Sequence, residues 1–248
     1  MCAARGGPRA AHCRAAPAGL KRPRTEDPII AEPTAITPWP APAGEPALLF
    51  GGTFDPPHLA HVRLAIAAQR ALGPETWLVA VPAARSPHKE SGPSVGAGHR
   101  LAMVRLAFAG YPRAAVWTDE LDRADGNGEP SYWAETAERA SNACGGGELR
   151  TLIGADQAVK LHAWTGPERI MRSAPPVILP REPVLSTDDL RAALEAAGVW
   201  SAAQLDALCA SMLDLDPMLA SSTQVRGGRL GLMPAAVADY ADRHGLYR

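Results

Sequence analysis

Cysteine is scarce: Cys2, Cys13, Cys144 and Cys209 form no C-x-x-C pair and no set at metal-ligand spacing. That leaves no disulfide framework to read and points to a reduced, cytoplasmic setting. Long apolar runs are missing too. None approaches the roughly 20 residues that a membrane-spanning helix needs, so no membrane association is expected. Neither sign of charge prevails, with 25 Lys and Arg against 26 Asp and Glu for a net charge of −1. Without a global basic field, nucleic acid is not an expected partner. Local basic residues could still serve a phosphate-bearing small molecule. Aromatic residues make up only 5% while Ala and Pro are abundant, which reads as compositional bias more than as a functional signal.

The 248 residues suffice for a full core and for one or two domains. Residues 1–45 stand apart in composition, rich in Ala, Pro and Arg without apolar periodicity. Arg5, Arg9, Arg14, Lys21, Arg22 and Arg24 all precede the first acidic residue, Glu26. The charge resembles that of a transit peptide, but prolines interrupt any amphipathic helix, serines are lacking and no apolar signal core exists. The expectation is a disordered extension, or a start site assigned too early, followed by one domain over 46–248.

That domain alternates strand and helix. Short apolar runs at 47–51, 76–81, 114–117, 149–153 and 176–179 read as strands. Helices are expected at 59–72, 99–109, 131–142, 154–161 and 166–172, less regularly at 190–197 and 203–213, and as two short closing helices at 221–230 and 234–244. Residues 82–98 and 119–130 read as long polar loops. The pattern predicts an α/β fold, a doubly wound parallel sheet with helices on both faces and a small helical part at the C-terminus. Ligands of such sheets bind beyond the carboxyl ends of the strands. The turn after residue 51, the loop after 82 and the turn at 154–156 should therefore meet in one cleft.

The chemistry concentrates at 48–61. An apolar run passes through Gly51-Gly52 and Pro56-Pro57 into an amphipathic segment, which reads as strand, tight turn and helix start. A helix start offers unpaired N–H groups and a positive dipole end, both suited to phosphate. His58 and His61, three apart, share one helix face. Gly51-Gly52-Thr53 lets backbone approach a ligand closely, although an ordinary strand-to-helix turn would use the same residues. The stretch is neither G-x-G-x-x-G nor G-x-x-x-x-G-K-[ST], so the dinucleotide fingerprint and the P-loop both fail. Two histidines at this spacing can bind zinc, but no third ligand follows at recognisable spacing, and no metal site is assigned.

Three further segments carry polar chemistry. Pro87-His88-Lys89 places a cation in a loop over the expected cleft, unless Lys89 is a solvated surface residue. Ser221-Ser222-Thr223-Gln224-Val225-Arg226 opens a helix with hydroxyls and sets an arginine one turn in. That suits phosphate oxygens, and equally suits a plain cap with a surface arginine. Trp164, one short helix beyond Gly154-Ala155-Asp156, could stack on an aromatic ligand ring or pack in the core.

Together these residues resemble a known family. Gly51-Gly52-Thr53-Phe54-Asp55-Pro56-Pro57-His58-Leu59-Ala60-His61 resembles the G-G-[ST]-F-D-P-x-H-x-G-H opening of nucleotidylyltransferases, and Ser221 to Arg226 resembles their S-S-T-x-[IV]-R motif. Pro87-His88-Lys89, Arg100-Leu101-Ala102-Met103, Glu120-Leu121-Asp122-Arg123, Ser131-Tyr132, Gly154-Ala155-Asp156 through Trp164, and the tail from Met233 to Tyr247 are similar to segments of bacterial nicotinate mononucleotide adenylyltransferases. The resemblance runs in order over 47–248. It implies a Rossmann-like nucleotidylyltransferase fold and transfer of the adenylyl group of ATP to nicotinate mononucleotide in NAD biosynthesis, with Mg²⁺ carried by the ATP phosphates.

It also implies roles. His58, His61, Lys89 and Arg226 would be catalytic, with His61 stabilising the transition state. Gly51, Gly52, Thr53 and Phe54 would shape the wall shared by both nucleotides, Gly154 and Asp156 would hold the adenosine, and Ser222 and Thr223 would bind phosphates. Tyr132, Trp133 and Trp164 would fall to the pyridine nucleotide, with Trp164 stacking on its ring. Two positions depart from the pattern: Ala60 stands for a usual Gly, and Trp133 for the first threonine of S-Y-T-x-x-T. The indole could reshape the pocket, stack on the ring itself or point outward. Preference for nicotinamide mononucleotide, or a catalytically silent nucleotide binder, are the alternatives that this leaves. A homo-oligomer is compatible with the sequence, and residues 182–219 fit the family weakly.

Overall fold

The structure, a computed structural model, describes residues 36–85, 92–124, 130–218 and 221–248. Five strands form one parallel sheet: β1 (Ala47–Gly52), β2 (Trp77–Pro82), β3 (Ala114–Val116), β4 (Leu149–Gly154) and β5 (Pro176–Leu179). Their order is β3-β2-β1-β4-β5. Register is in phase across the centre, with Ala47 beside both Trp77 and Leu149. The strands are apolar on both faces because helices cover both. Leu48, Leu78, Ala80 and Leu152 face one core cluster, while Leu49, Val79 and Val81 face another.

The helices are α1 (Leu59–Leu72), α2 (Ala97–Phe108), α3 (Asp119–Asp122), α4 (Trp133–Ala143), α5 (Ala155–Ala158), α6 (Pro167–Ser173), α7 (Thr187–Ala197), α8 (Ala202–Ala210), α9 (Ser222–Arg226) and α10 (Ala235–Arg243). Val62 and Ile66 of α1, Met103 and Val104 of α2 and Val237 of α10 pack on the first face. Ala137 and Ala140 of α4 pack on the second. Each fully buried Leu, Ile or Val side chain contributes about 1.5–3 kcal/mol.

Three expectations need correction. The loop expected at 119–130 begins with a helical turn, α3, whose Asp122 N–H donates to the Thr118 carbonyl at 2.8 Å. The helix expected at 221–230 stops after Arg226 at Gly227 and resumes only as a 3₁₀ turn, Leu230–Leu232. Residues 36–45, grouped above with the N-terminal extension, pack on the domain: the Trp39 ring meets Trp117 edge-on at 5.2 Å. The region at 182–219 is a helix pair, α7 and α8, sharing a core of Leu190, Leu194, Leu208 and Cys209. Beyond it Leu213 N–H donates to Ile178 O at 2.9 Å, which extends the edge of β5. Among the described residues no helix is long and apolar enough to cross a membrane.

Candidate active site

The carboxyl ends of β1, β2, β4 and β5 surround a cleft of about 620 Å³. The strand order reverses between β1 and β4, which is where sheets of this kind open a crevice. Gly51, Gly52, Thr53, His58, His61, Gly154, Asp156, Ser222, Thr223 and Arg226 all line it, as do Tyr132, Trp133 and Trp164. Residues spread over 175 positions of sequence thus meet at one place. Lys89 lies outside the described residues.

The two histidines cap their own helix. His58 sits at the N-cap of α1 in extended conformation, and the His61 N–H points to His58 Nδ1 at 3.4 Å. In return the His58 N–H donates to His61 Nδ1 at 3.3 Å. This is a capping box built from imidazoles. Because both Nδ1 atoms accept, each neutral ring carries its proton on Nε2. The rings stack at 3.6 Å. His58 is 2% exposed, and burial pushes its imidazole down to about 4, with the positive charge of Arg181 acting in the same direction. At neutral pH His58 is therefore an uncharged Nε2–H donor.

Phe54 takes a left-handed backbone with φ 49°. Its ring does not line the cleft, as the family pattern implied. It lies beneath Gly52, where a Cβ would meet it at 3.1 Å, and packs edge-on to His61 at 5.2 Å. The ring supports the wall from below because the turn folds it into the core, at 2% exposure.

The second motif closes on the first. The Ser222 hydroxyl donates to Pro56 O at 2.9 Å, and Arg226 Nη1 donates to Asp55 O at 2.5 Å. Helix α9 is itself capped by Ser221, which accepts from the Gln224 N–H. The Asp55 carboxylate turns the other way and accepts from the Ser94 N–H at 2.6 Å, the Ser94 hydroxyl at 2.7 Å and the Tyr247 hydroxyl at 2.7 Å. Below it, buried Arg100 donates to Thr53 O at 2.8 Å, Ala83 O at 2.7 Å and Ala84 O at 3.3 Å. One guanidinium thus ties the ends of β1 and β2 together; burial lowers its pKa, opposed by the charge of Asp55.

The far wall belongs to β4 and α4. The Trp133 indole turns inward: its Nε1–H donates to Thr151 Oγ1 at 3.2 Å and its ring covers Gly51. Of the three arrangements open to it, pointing outward is excluded. Glu120 on α3 also lines this wall, is 4% exposed and accepts from Thr136 Oγ1 at 2.9 Å. Burial raises its carboxyl to about 7, against the lowering effect of the Thr136 and Ser131 hydroxyls. Asp156 lies 3.7 Å from Arg181 Nε, and Arg181 also lines the cleft. Sequence reading assigned no role to Arg181, Glu120, Asp55, Arg100, Ser94 or Tyr247. Glu120, Asp55 and Arg100 stood inside quoted motifs, whereas no sequence signal marked Ser94 or Arg181.

Among the described residues no group of three or more His, Cys, Asp or Glu is placed to hold a metal. Asp55 and Glu120 each accept from protein donors, whereas Asp156 accepts from Gln157 Nε2 at 3.1 Å through Oδ2 and its buried Oδ1 has no hydrogen-bond partner.

A family model for cytidylyltransferase-like proteins matches residues 49–228. A Bordetella petrii protein named "Probable nicotinate-nucleotide adenylyltransferase" is 36% identical over 208 residues, covering 81% of this chain and 97% of its own. A Pseudomonas aeruginosa protein of the same name is 37% identical over 214 residues, covering 81% and 96%. Among solved structures, the Plasmodium falciparum nicotinic acid mononucleotide adenylyltransferase complexed with NaAD shares the fold at a TM-score of 0.60 and 13% identity, covering 82% of this chain and 97% of its own. With the fold, both halves of the cleft motif and these relatives in agreement, the chain belongs to the cytidylyltransferase-like family, among its nicotinate-nucleotide adenylyltransferases.

Proposed function

We infer that the protein transfers the adenylyl group of ATP to nicotinate mononucleotide, giving nicotinate adenine dinucleotide and pyrophosphate in NAD biosynthesis. The observation that carries this reading is the joining of the histidine-capped start of α1 to α9 in one cleft, through Ser222 to Pro56 and Arg226 to Asp55. The 5′-phosphate of the mononucleotide is already anionic when it attacks the α-phosphorus. The reaction needs no general base, and alignment and charge stabilisation carry the catalysis.

The roles follow from that chemistry. MgATP enters as substrate, with its phosphates against the α1 N-terminus. His61 and His58 donate Nε2–H groups to them, and His61 stabilises charge on the reacting phosphoryl group. Arg226 and Lys89 neutralise the triphosphate, and Ser222 and Thr223 contribute at the start of α9. Gly51, Gly52 and Thr53 form the wall between the nucleotides, and Gly154 with Asp156 holds the adenosine. Tyr132, Trp133 and Trp164 take the pyridine nucleotide. The cytoplasm is the compartment consistent with this chemistry, and an assembly of identical subunits is compatible with it.

The inward Trp133 favours a second reading in one respect, since it alters the wall where the family carries threonine: the amide mononucleotide could be preferred. Pyrophosphate release from ATP, measured with the acid and the amide mononucleotides side by side, separates the two. The expected result is faster release with the acid; release with neither would end the adenylyltransferase reading. His61→Ala should lower kcat by about 10²–10³, the cost of removing one preorganised donor. Turnover within a few-fold of wild type would remove His61 from its central role.

A further inference from the structure

The cleft's first wall is tied to the last residues of the chain. Asp55 is 4% exposed, and its carboxylate gathers Ser94, from the loop after β2, and Tyr247, one residue from the C-terminus. The backbone of the same residue takes Arg226. Asp55 is thus where the histidine turn, the β2 loop, α9 and the tail converge. Two of the non-glycine residues with left-handed backbone flank this junction, Phe54 at φ 49° and Tyr247 at φ 58°. Side chains hold that conformation at a cost, and they persist in it where the surroundings leave them no alternative. At Tyr247 the surroundings are the phenol's hydrogen bond and the core cluster on which Leu246 and Tyr247 pack.

We propose that Tyr247 is a positioning residue for the adenylyl-transfer site: its hydroxyl latches the C-terminal tail to Asp55 and so sets the turn that carries His58 and His61. The inference rests on the function proposed above. Three features support it. The phenol is a donor at any working pH, because burial and then the bond to Asp55 drive its pKa upward. The carboxylate it meets is three residues from His58, so a shift at Asp55 reaches the capping histidine directly. Finally, Ser94 hangs from the same carboxylate, so the latch also holds the segment that enters α2.

The test is Tyr247→Phe in the full chain, which removes one oxygen and keeps the ring in the core. Hydrogen exchange of the peptide spanning residues 48–64 reads the turn without any need for turnover, and steady-state kinetics read the reaction. Expected are faster exchange confined to that peptide and the one containing Ser94, and a thermal midpoint within a few degrees of wild type. With them, kcat should fall about tenfold while both KM values stay within about twofold, as misaligned catalytic groups require. Ser94→Ala, which takes a second donor from the same carboxylate, should change exchange and kcat in the same direction. Wild-type exchange in the turn, or wild-type kcat, overturns the proposal. So does exchange raised evenly throughout the chain, which would make the tyrosine a general brace. If wild-type protein releases no pyrophosphate, the adenylyltransferase reading fails, and exchange in the turn alone decides the latch.

Discussion

Glu120 and His58 are the two cleft groups whose ionisation burial alters most clearly, and they act on stability in opposite directions. The Glu120 carboxyl rises from 4.5 to about 7 in the folded chain. Between those values the folded state holds a proton that the unfolded state has released, so stability contributed below pH 4.5 is lost as pH rises toward 7. The full span is about 3 kcal/mol. His58 falls from 6.5 to about 4. Its contribution is complete above pH 6.5 and is lost as pH falls through 4, because protonation also removes the acceptor that caps α1. The two windows overlap, so a single pH profile of the wild type does not separate them. The difference between Glu120→Gln and wild type does. The variant should match wild type at and below about pH 4 and exceed it increasingly toward pH 7, by up to about 3 kcal/mol in thermal or urea unfolding. A difference independent of pH would mean that Glu120 does not titrate in this range. The sequence displayed Glu120 as part of a motif but gave it no task, since its properties come from Thr136, Ser131 and the burial that α3 and α4 impose together.

At the scale of elements, legibility followed local signals. Helix α1 was readable to the residue, because Gly73 ends it and its apolar positions are regular. Helix α7 was placed three residues late, although Ser186 and Asp189 form a capping box at its start. Ser201 with Gln204 does the same for α8. Both boxes were visible in the sequence, and the weaker apolar pattern that follows concealed them. The site motifs at either end of the chain were equally legible, as strings. Their junction was not, since Ser222 bonds a carbonyl 166 positions away. The packing of α4 on β1 belongs to the same class of unreadable contacts and yields a prediction. A Cβ on Gly51 would lie 2.4 Å from the Trp133 ring, so the glycine and the indole form one unit. Gly51→Ala should lower turnover by at least about tenfold by displacing the indole from Thr151. Trp133→Thr should restore much of that loss in the double variant. Their coupling in a double-mutant cycle should exceed about 1 kcal/mol, and additive effects would show that the contact does not govern the wall.

Over the whole molecule, the segment at 36–45 shows that the composition of a stretch does not decide whether it packs. Its prolines and alanines carry no periodicity, yet its Trp39 packs on the core cluster of the second face, and the segment reaches the cleft indirectly. Thr37 accepts from Trp117 Nε1 at 3.0 Å through its carbonyl, bonds the Thr118 hydroxyl at 2.6 Å and donates its N–H to Asp122 at 2.8 Å. Those partners bracket Asp119 and Glu120, the buried acids of α3. Asp119 in turn binds Arg123 at 2.8 Å and Arg139 of α4 at 2.6 Å. The strap therefore braces the turn that carries Glu120, and through Arg139 the helix that carries Trp133, while the histidine turn is held separately by Asp55 and Arg100. Trp39→Ala tests this division. Loss of a half-buried indole and its edge contact with Trp117 should cost about 2–3 kcal/mol in urea unfolding. With Tyr132 and Trp133 in the pyridine-nucleotide role proposed above, KM for the mononucleotide should rise severalfold while KM for ATP holds. Equal changes in both would mean that the two walls move as one body, and a stability change below about 0.5 kcal/mol would detach the strap from the fold.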